Sequence, residues 1–200
     1  MAKKLMLLAL SVAALAAFVV PASASADHYF HNGGAIPGGH IVETYSGTVQ
    51  FTTHAPAPAV GVHCATSAVE VTIETESAQV VSFAGLGCTG VDGFSECTVN
   101  TAGVPGLAIG LEAPWPISVA SGSLEIENLF IFNEFEEGCQ LGETSVPALF
   151  FEGTVTATPT VAGNLGQLTL SGTLNSPVGP FLTVSGTLTQ QNPTTELTFE

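Results

Sequence analysis

The chain has 200 residues, and 46% of them are hydrophobic, which is enough for one domain with a packed core. Its charge is one-sided, because it has 17 acidic residues and only two basic ones, and the formal net charge is −15. Binding to a nucleic-acid backbone depends on Lys and Arg side chains, so this composition excludes nucleic acid as a partner. Anionic membrane surfaces should repel the chain for the same reason.

Residues 1–26 have the three parts of a secretory signal peptide. Lys3 and Lys4 give a positive start, residues 5–20 are apolar, and small residues precede a cleavage point after Ala26. The apolar run is shorter than the roughly 20 residues of a spanning helix, so we expect no membrane span in the mature chain. Cleavage would remove both basic residues and leave an exported, strongly acidic chain.

The mature chain would open with DHYFHNGGAIPGGH, residues 27–40, which we predict to be a flexible arm because it is rich in Gly and termini are usually loose. The segment contains His28, His31 and His40. Imidazole suits copper, nickel and zinc, and cleavage would place the free amine of Asp27 next to the first histidine. The segment is therefore a candidate copper or zinc site, and the alternative is a polar arm without a ligand.

From residue 41 onward the hydrophobic pattern alternates with a period of two, as in half-buried strands. In the segment 68–76, for example, Val69, Val71 and Ile73 alternate with polar residues. Similar segments, separated by turn-forming residues, cover 41–53, 78–85, 116–122, 123–132, 148–158, 166–174, 181–190 and 196–200. About ten strands at this spacing predict a single all-β domain over residues 41–200, an antiparallel β-sandwich or barrel.

Two further patterns concern particular strands. The segment NLFIF, residues 128–132, is apolar on both faces, so we expect both faces to be covered. The motif Ser-Gly-Thr recurs at 46–48, 171–173 and 185–187, and Glu-Gly-Thr at 152–154 resembles it. We expect these glycines to lie where a bend, a bulge or a close neighbour excludes a side chain.

The chain has four cysteines, an even number in a protein predicted to be exported, which favours two disulfides. They are Cys64, Cys88, Cys97 and Cys139, and they allow three connectivities. Cys88 and Cys97 flank a Gly-rich, hairpin-like segment with an Asp-Gly turn, so we predict a bridge between them. Cys64 and Cys139 would then form the second bridge. A zinc site is the alternative, although the closely spaced cysteine pairs of structural zinc are missing.

The segments VGVHC, VVSFAGLGCTG, SECTVNTAGVPG and APWPISV follow one another in the first half of the domain. Their order resembles the arrangement in small exported β-proteins, especially of actinobacteria, related to those called activator of alkane oxidation proteins. The resemblance covers residues 45–120, and the chain departs from the pattern in a longer gap between Cys97 and Trp115 and in its His-rich start. Members of that group are mostly of unknown function, so the resemblance implies a secreted β-sandwich and carries over no catalytic residue.

Glu125 and Glu127 are two positions apart on one predicted strand, so they project from the same face. Their separation would suit the paired carboxylates of a glycoside hydrolase, and Trp115 would serve as a platform for a sugar ring. A solvated strand face is the simpler interpretation of both glutamates.

The segment NEFEEGCQLGE gathers four glutamates in a predicted loop that also contains a cysteine. They are Glu134, Glu136, Glu137 and Glu143. Carboxylate oxygens on a turn are ligands that a hard cation prefers, so this loop is a candidate calcium site. The alternative is a solvated hairpin end.

The mature chain has neither a nucleophile elbow nor a cofactor-binding fingerprint, which points away from nucleophilic and cofactor-dependent catalysis. We therefore expect a secreted, non-enzymatic module with a structural or binding role outside the cell or at its envelope, with an unidentified partner and no cofactor. The alternatives are a protein that binds copper, zinc or calcium, and a carbohydrate-active enzyme that uses Glu125 and Glu127.

Overall fold

The computed structural model describes residues 28–53, 60–141, 143–176, 179–192 and 196–200. The predicted signal peptide, residues 1–26, and Asp27 lie outside this part of the chain. The described residues form 15 strands and one 3-10 helix, Pro37–Gly39, and contain no α-helix. The strands are β1 (Tyr29–His31), β2 (His40–Thr53), β3 (Val60–Glu74), β4 (Ala78–Asp92), β5 (Asn100–Thr101), β6 (Val104–Pro105), β7 (Ala108–Gly110), β8 (Trp115–Ala120), β9 (Ser123–Glu134), β10 (Gln140–Leu141), β11 (Thr144–Ser145), β12 (Ala148–Val161), β13 (Asn164–Ser176), β14 (Gly179–Gln190) and β15 (Leu197–Phe199).

Eight strand positions close into an antiparallel barrel. In circular order they are β2, β3, β4, the pair β7 and β8, β9, β12, β13 and β14, and β14 pairs with β2 to close the circle. β7 and β8 share one position because both pair with β4 on one side and with β9 on the other. The prediction of an antiparallel all-β domain is confirmed, and of the two predicted architectures the structure adopts the barrel.

Alternate residues of each strand supply the interior of the barrel. In β3, Val69, Val71 and Ile73 are buried, whereas Glu70 and Glu74 are exposed. The period of two in the sequence therefore corresponds to inward and outward positions on the barrel wall. Burying the inward side chains supplies the main driving force for closure.

The glycines of the Ser-Gly-Thr motifs lie where two neighbouring strands approach closely. A Cβ atom at Gly47 would collide with the carbonyl oxygen of Thr187, and one at Gly186 would collide with that of Thr48. Both contacts are with backbone atoms of the paired strand, which cannot move away without breaking the pairing. The prediction that a close neighbour excludes a side chain is confirmed at these two positions.

Two short strands, β1 and β15, close one end of the barrel, which we call the clasp end. β15 pairs with β1 and also makes one pair with β13. The side chains of Tyr29, Leu197 and Phe199 are buried there. The backbone N–H of Tyr29 donates to the carbonyl oxygen of Thr75, in the turn between β3 and β4, at 2.9 Å. The clasp end is thus held to the barrel by hydrogen bonds and apolar contacts.

Residues 28–40, the segment that we predicted to be a flexible arm, are packed against the barrel in part. Tyr29 and Ile36 are 0% and 5% exposed. The side-chain Oδ1 of Asn32 accepts a hydrogen bond from the backbone N–H of Glu196 at 2.9 Å. Ordering a Gly-rich segment costs backbone entropy, and the burial of two apolar side chains together with the pairing to β15 offsets this cost.

Two loops close the opposite end of the barrel, which we call the bridged end. Residues 93–107 connect β4 to β7, and residues 135–147 connect β9 to β12. The disulfide between Cys97 and Cys139 joins the two loops. Phe94 of the first loop packs against Phe135 of the second, with ring centroids 5.3 Å apart. The end is therefore closed by a covalent bond and an aromatic pair together.

The cysteines form two disulfides, as expected, but the predicted pairing is wrong. The bonds join Cys64 to Cys88 and Cys97 to Cys139. Cys64 and Cys88 lie directly opposite each other on β3 and β4, and both are buried in the barrel. The predicted hairpin between Cys88 and Cys97 exists, but its register places Thr89 opposite Thr98. Cys88 and Cys97 are consequently not opposite each other in this hairpin, and each bonds to a different part of the fold.

Candidate functional site

The N-terminal histidines are spread over the clasp end. His28 and His40 are exposed, and His31 is half-buried, with its Nε2 atom 3.5 Å from Nδ2 of Asn32. Among the described residues, no three His, Cys, Asp or Glu side chains are grouped so that they could hold a metal ion. The proposed chelate with the amine of Asp27 involves a residue outside the described part of the chain, so that hypothesis stays a prediction.

The glutamates of the candidate calcium loop have different roles. Glu134 is the last residue of β9, and its Oε2 atom accepts a hydrogen bond from the backbone N–H of Ala102 at 2.7 Å. The backbone N–H of Glu134 donates to Oγ1 of Thr101 at 3.0 Å. Glu136 and Glu137 are exposed on the following turn. Glu134 thus holds the loop 93–107 in place, and this role explains the presence of a glutamate here without a bound ion.

Glu125 and Glu127 lie on the outer face of β9, as their spacing predicts, and both are half-buried. Oε1 of Glu127 accepts a hydrogen bond from Oγ of Ser118 on β8 at 2.9 Å. Trp115 is only 1% exposed, and its indole N–H donates to the carbonyl oxygen of Leu111 at 3.0 Å. The prediction that Trp115 is a sugar platform is therefore wrong, because its ring is part of the core.

The barrel interior is packed with apolar side chains. Two adjacent cavities of about 30 Å³ each lie within it, and Val80, Ile126 and Leu188 are among the residues that line both. Each cavity has about the volume that one water molecule occupies. Sites for organic ligands are typically about ten times larger, with volumes of roughly 300–1,000 Å³. The described interior side chains hold the fold together, and the two cavities between them are too small for such a ligand.

One carboxyl group points into the interior near the clasp end. Glu43 is 6% exposed, and Tyr45, two residues further along β2, is 2% exposed. Burial raises the pKa of the Tyr45 hydroxyl far above its usual value, and the charge of Glu43 raises it further. Tyr45 and Tyr29 line the same small cavity, so this phenol belongs to the packing of the clasp end.

The segment 128–132 has one face inside the barrel and the other on its surface. Leu129 and Ile131 are buried in the core, whereas Phe130 and Phe132 are half-buried on the outer wall. The ring of Phe130 stacks on Phe150 of β12, with centroids 5.6 Å apart, and Phe150 is 37% exposed. The prediction that both faces are covered is wrong for the outer face, where the aromatic side chains cover one another only in part.

A groove of about 350 Å³ lies on the outer wall beside these aromatic rings, where β9, β12 and β13 are neighbours. Its lining combines two carboxylates, two amides, one hydroxyl and one aromatic ring; these belong to Glu112, Glu152, Asn128, Asn175, Thr154 and Phe130. The groove is open to solvent along its outer side, and its space would admit a small organic ligand. This groove is the candidate functional site.

A β-bulge shapes the groove. Glu127 and Asn128 of β9 lie opposite the single residue Thr154 of β12, because the register shifts between Gly153 and Val155. Asn128 has a φ of 55°, in the left-handed region that Asn tolerates better than most residues. The extra residue turns the Asn128 side chain outward, where it lines the groove between the two strands.

The charged side chains that line the groove are both acidic. Glu112 and Glu152 are both exposed and supply its charges. Lys3 and Lys4 are the only Lys or Arg residues of the chain, so the described residues include no Lys or Arg that could neutralise these carboxylates. The groove should therefore have a negative potential and repel anions.

The sequence pattern did not predict a ligand-binding role for any residue of this groove, although the segments 128–132 and 152–154 stand out for other reasons. Glu152 and Asn175 meet because β12 and β13 are neighbours in the barrel, and Glu112 comes from the segment between β7 and β8, which is held beside β9 by the hydrogen bond from the Leu111 N–H to the Phe130 carbonyl oxygen at 2.8 Å. One local signal was present, since Asn128 interrupts the alternation of β9 between Ile126 and Leu129. An interruption of this kind indicates a bulge, and bulges are frequent beside functional sites.

No protein-family model, curated protein or solved structure matches the chain significantly. The resemblance to the activator of alkane oxidation proteins stays a prediction. Within the described part of the chain, no helix is long and apolar enough to cross a membrane.

Proposed function

We propose that the protein is an exported, non-enzymatic binding module that acts outside the cell or at its envelope and takes its ligand in the groove on the outer barrel wall. The single observation that carries this function is the groove itself, with about 350 Å³ of space and a mixed polar and aromatic lining. The cavities inside the barrel are about 30 Å³ each, so the outer wall is the better place for a ligand.

Export is supported by the cysteines and by the start of the chain. All four cysteines are bonded, and disulfides persist mainly in oxidising compartments outside the cytosol. The first 26 residues have the composition of a signal peptide. A barrel held by two disulfides and a packed interior suits a protein that must remain folded outside the cell.

Binding without catalysis is supported by the arrangement around Glu125 and Glu127. Glu127 is engaged by Ser118, and the aromatic ring that a glycosidase of this kind would need, Trp115, is buried in the core. The groove, in contrast, presents side chains whose polar atoms are exposed and free to contact a ligand. No observation favours the carbohydrate-active enzyme over a binding module.

The experiment that tests this function is an NMR titration of the isotope-labelled mature protein with three small probes, which are putrescine, xylose and acetate. We expect at least one of the first two probes to shift the amide signals of Asn128, Phe130 and Thr154 in a saturable manner. Acetate should leave them unchanged, because two carboxylates repel it. If none of the three probes shifts these signals, the groove is not a binding site.

A matched pair of variants locates the binding. Thr154→Trp places a large ring in the groove and should abolish the shifts. Thr169→Trp makes the same change at an exposed position of β13 that does not line the groove, and it should bind like the wild type. Equal loss of binding in both variants would contradict the proposed location.

A further inference from the structure

We infer that the ligand of the groove carries an organic cation, an ammonium or guanidinium group attached to a short apolar chain. This inference rests on the proposed function and specifies its ligand class. Three properties of the groove lead to it, namely its charge, its aromatic wall and its volume.

The charge of the groove excludes anions and favours cations. Among the described residues that line it, Glu112 and Glu152 are the ionisable ones, and none is a histidine. The carboxylates have no Lys or Arg among the described residues as a partner. A cationic ligand would supply the missing counter-charge and could donate hydrogen bonds to the carboxylate oxygens.

The wall of the groove adds contacts that a bare metal ion would not use. Phe130, which is half-buried on the outer wall, contributes an aromatic ring. The face of an aromatic ring attracts an organic cation, and the attached methylene groups gain from contact with apolar surface. The amides of Asn128 and Asn175 can accept hydrogen bonds from the remaining N–H groups.

The volume of the groove also favours an organic ligand. Calcium needs about six to eight oxygen ligands at 2.3–2.6 Å around a small sphere. A groove of about 350 Å³ is larger than one ion requires, and a short alkylammonium chain can extend along it. The excess of negative charge on the whole protein would raise the local concentration of such cations.

An ammonium group of this kind can come from a free polyamine or from a basic side chain of another protein. The two sources share the same chemistry at the groove, and the test must separate them. Phe150, which stacks on Phe130, is exposed beside the groove and would contact the backbone around a basic side chain but not a small amine.

The test compares dissociation constants from NMR titrations of the mature protein with three probes, which are putrescine, the capped peptide Gly-Lys-Gly and neutral xylose. We expect both cationic probes to bind more tightly than xylose and to lose affinity as NaCl is raised. Tighter binding of the peptide would assign the site to a basic side chain, and tighter binding of putrescine would assign it to a free amine. Either result supports the inference.

Variants test whether the carboxylates hold the cation. Glu112→Gln and Glu152→Gln should each weaken putrescine binding by about two- to fivefold, as expected for exposed charge pairs. Glu70→Gln removes the same charge from an exposed position on β3, outside the groove, and should bind like the wild type. Xylose binding should change little in all three variants.

Two outcomes overturn the inference without affecting the proposed function. The first is xylose binding in the groove at least as tightly as both cationic probes. The second is unchanged putrescine affinity in Glu112→Gln and Glu152→Gln. The first outcome would assign the groove to a neutral ligand, and the second would show that its carboxylates do not hold a cation. Absence of binding by every probe would instead contradict the proposed function itself.

Discussion

One end of the barrel is closed by strand pairing and the other by a covalent bond. At the clasp end, β1 and β15 pair with each other and cover the interior with Tyr29, Leu197 and Phe199. At the bridged end, the Cys97–Cys139 disulfide joins two loops that have only two-residue strands. The two ends thus differ in kind, because the bridged end adds a covalent crosslink to its few backbone contacts, whereas the clasp end is closed by strand pairing and burial alone.

The largest expected effect is at the bridged end. Replacing Cys97 and Cys139 by Ala together should lower the free energy of unfolding by about 4 kcal/mol, because the crosslink spans 42 residues and restricts the unfolded chain. Urea denaturation of the variant and the wild type measures this difference. A loss under about 1 kcal/mol would mean that the two loops hold together without the bond.

A smaller loss is expected at the clasp end. Tyr29→Ala removes a fully buried ring and should lower the free energy of unfolding by about 3 kcal/mol. Hydrogen exchange should accelerate at the amides of β1 and β15 and remain slow in β3 and β4. Phe30→Ala, at the adjacent half-buried position, is the control and should cost clearly less. Equal effects of the two changes would show that the clasp does not depend on Tyr29.

Alkaline pH should also destabilise the fold through Tyr45, which lines a cavity together with Tyr29 of the clasp end. Burial, followed by the charge of Glu43, raises the pKa of Tyr45 in the folded state, so the folded protein binds this proton more tightly than the unfolded chain does. The stabilising contribution is complete below the ordinary tyrosine pKa of about 10 and is lost as pH rises above it, by up to about 1.4 kcal/mol per pH unit.

Urea denaturation between pH 8 and pH 12 measures this loss in the wild type and in Tyr45→Phe, taking about 10 as the tyrosine reference pKa. The variant cannot ionise at this position, so its stability should fall less steeply above that pH. Parallel stability curves for the two proteins would rule out Tyr45 as the cause.

Much of the core follows from local pattern. The period of two around Val69, Val71 and Ile73 identified the inward face of β3 correctly. The Ser-Gly-Thr motifs correctly indicated close strand contacts at Gly47 and Gly186. Both features depend on the geometry of a single strand and its nearest neighbour, so a short stretch of sequence contains the necessary information.

Features that depend on distant partners were not predictable in this way. The cysteine pairing depended on the hairpin register that places Thr89 opposite Thr98, which moves Cys88 out of reach of Cys97. The burial of Trp115 depends on the core residues that surround it, and composition alone does not reveal these contacts. The pairing of Tyr29, Phe30 and His31 with β15 joins residues that are far apart in the sequence.

The sequence by itself determined the all-β class, the alternation of inward and outward residues, the presence of two disulfides and the strongly acidic character of the chain. Only the tertiary structure decided between sandwich and barrel, paired the cysteines, filled the interior and placed Glu112, Glu152 and Asn175 around one groove. The physical reason is how far apart in the sequence the contacting residues lie. Strand pattern follows from neighbours in the chain, whereas barrel closure, register and the groove depend on contacts between residues far apart in sequence.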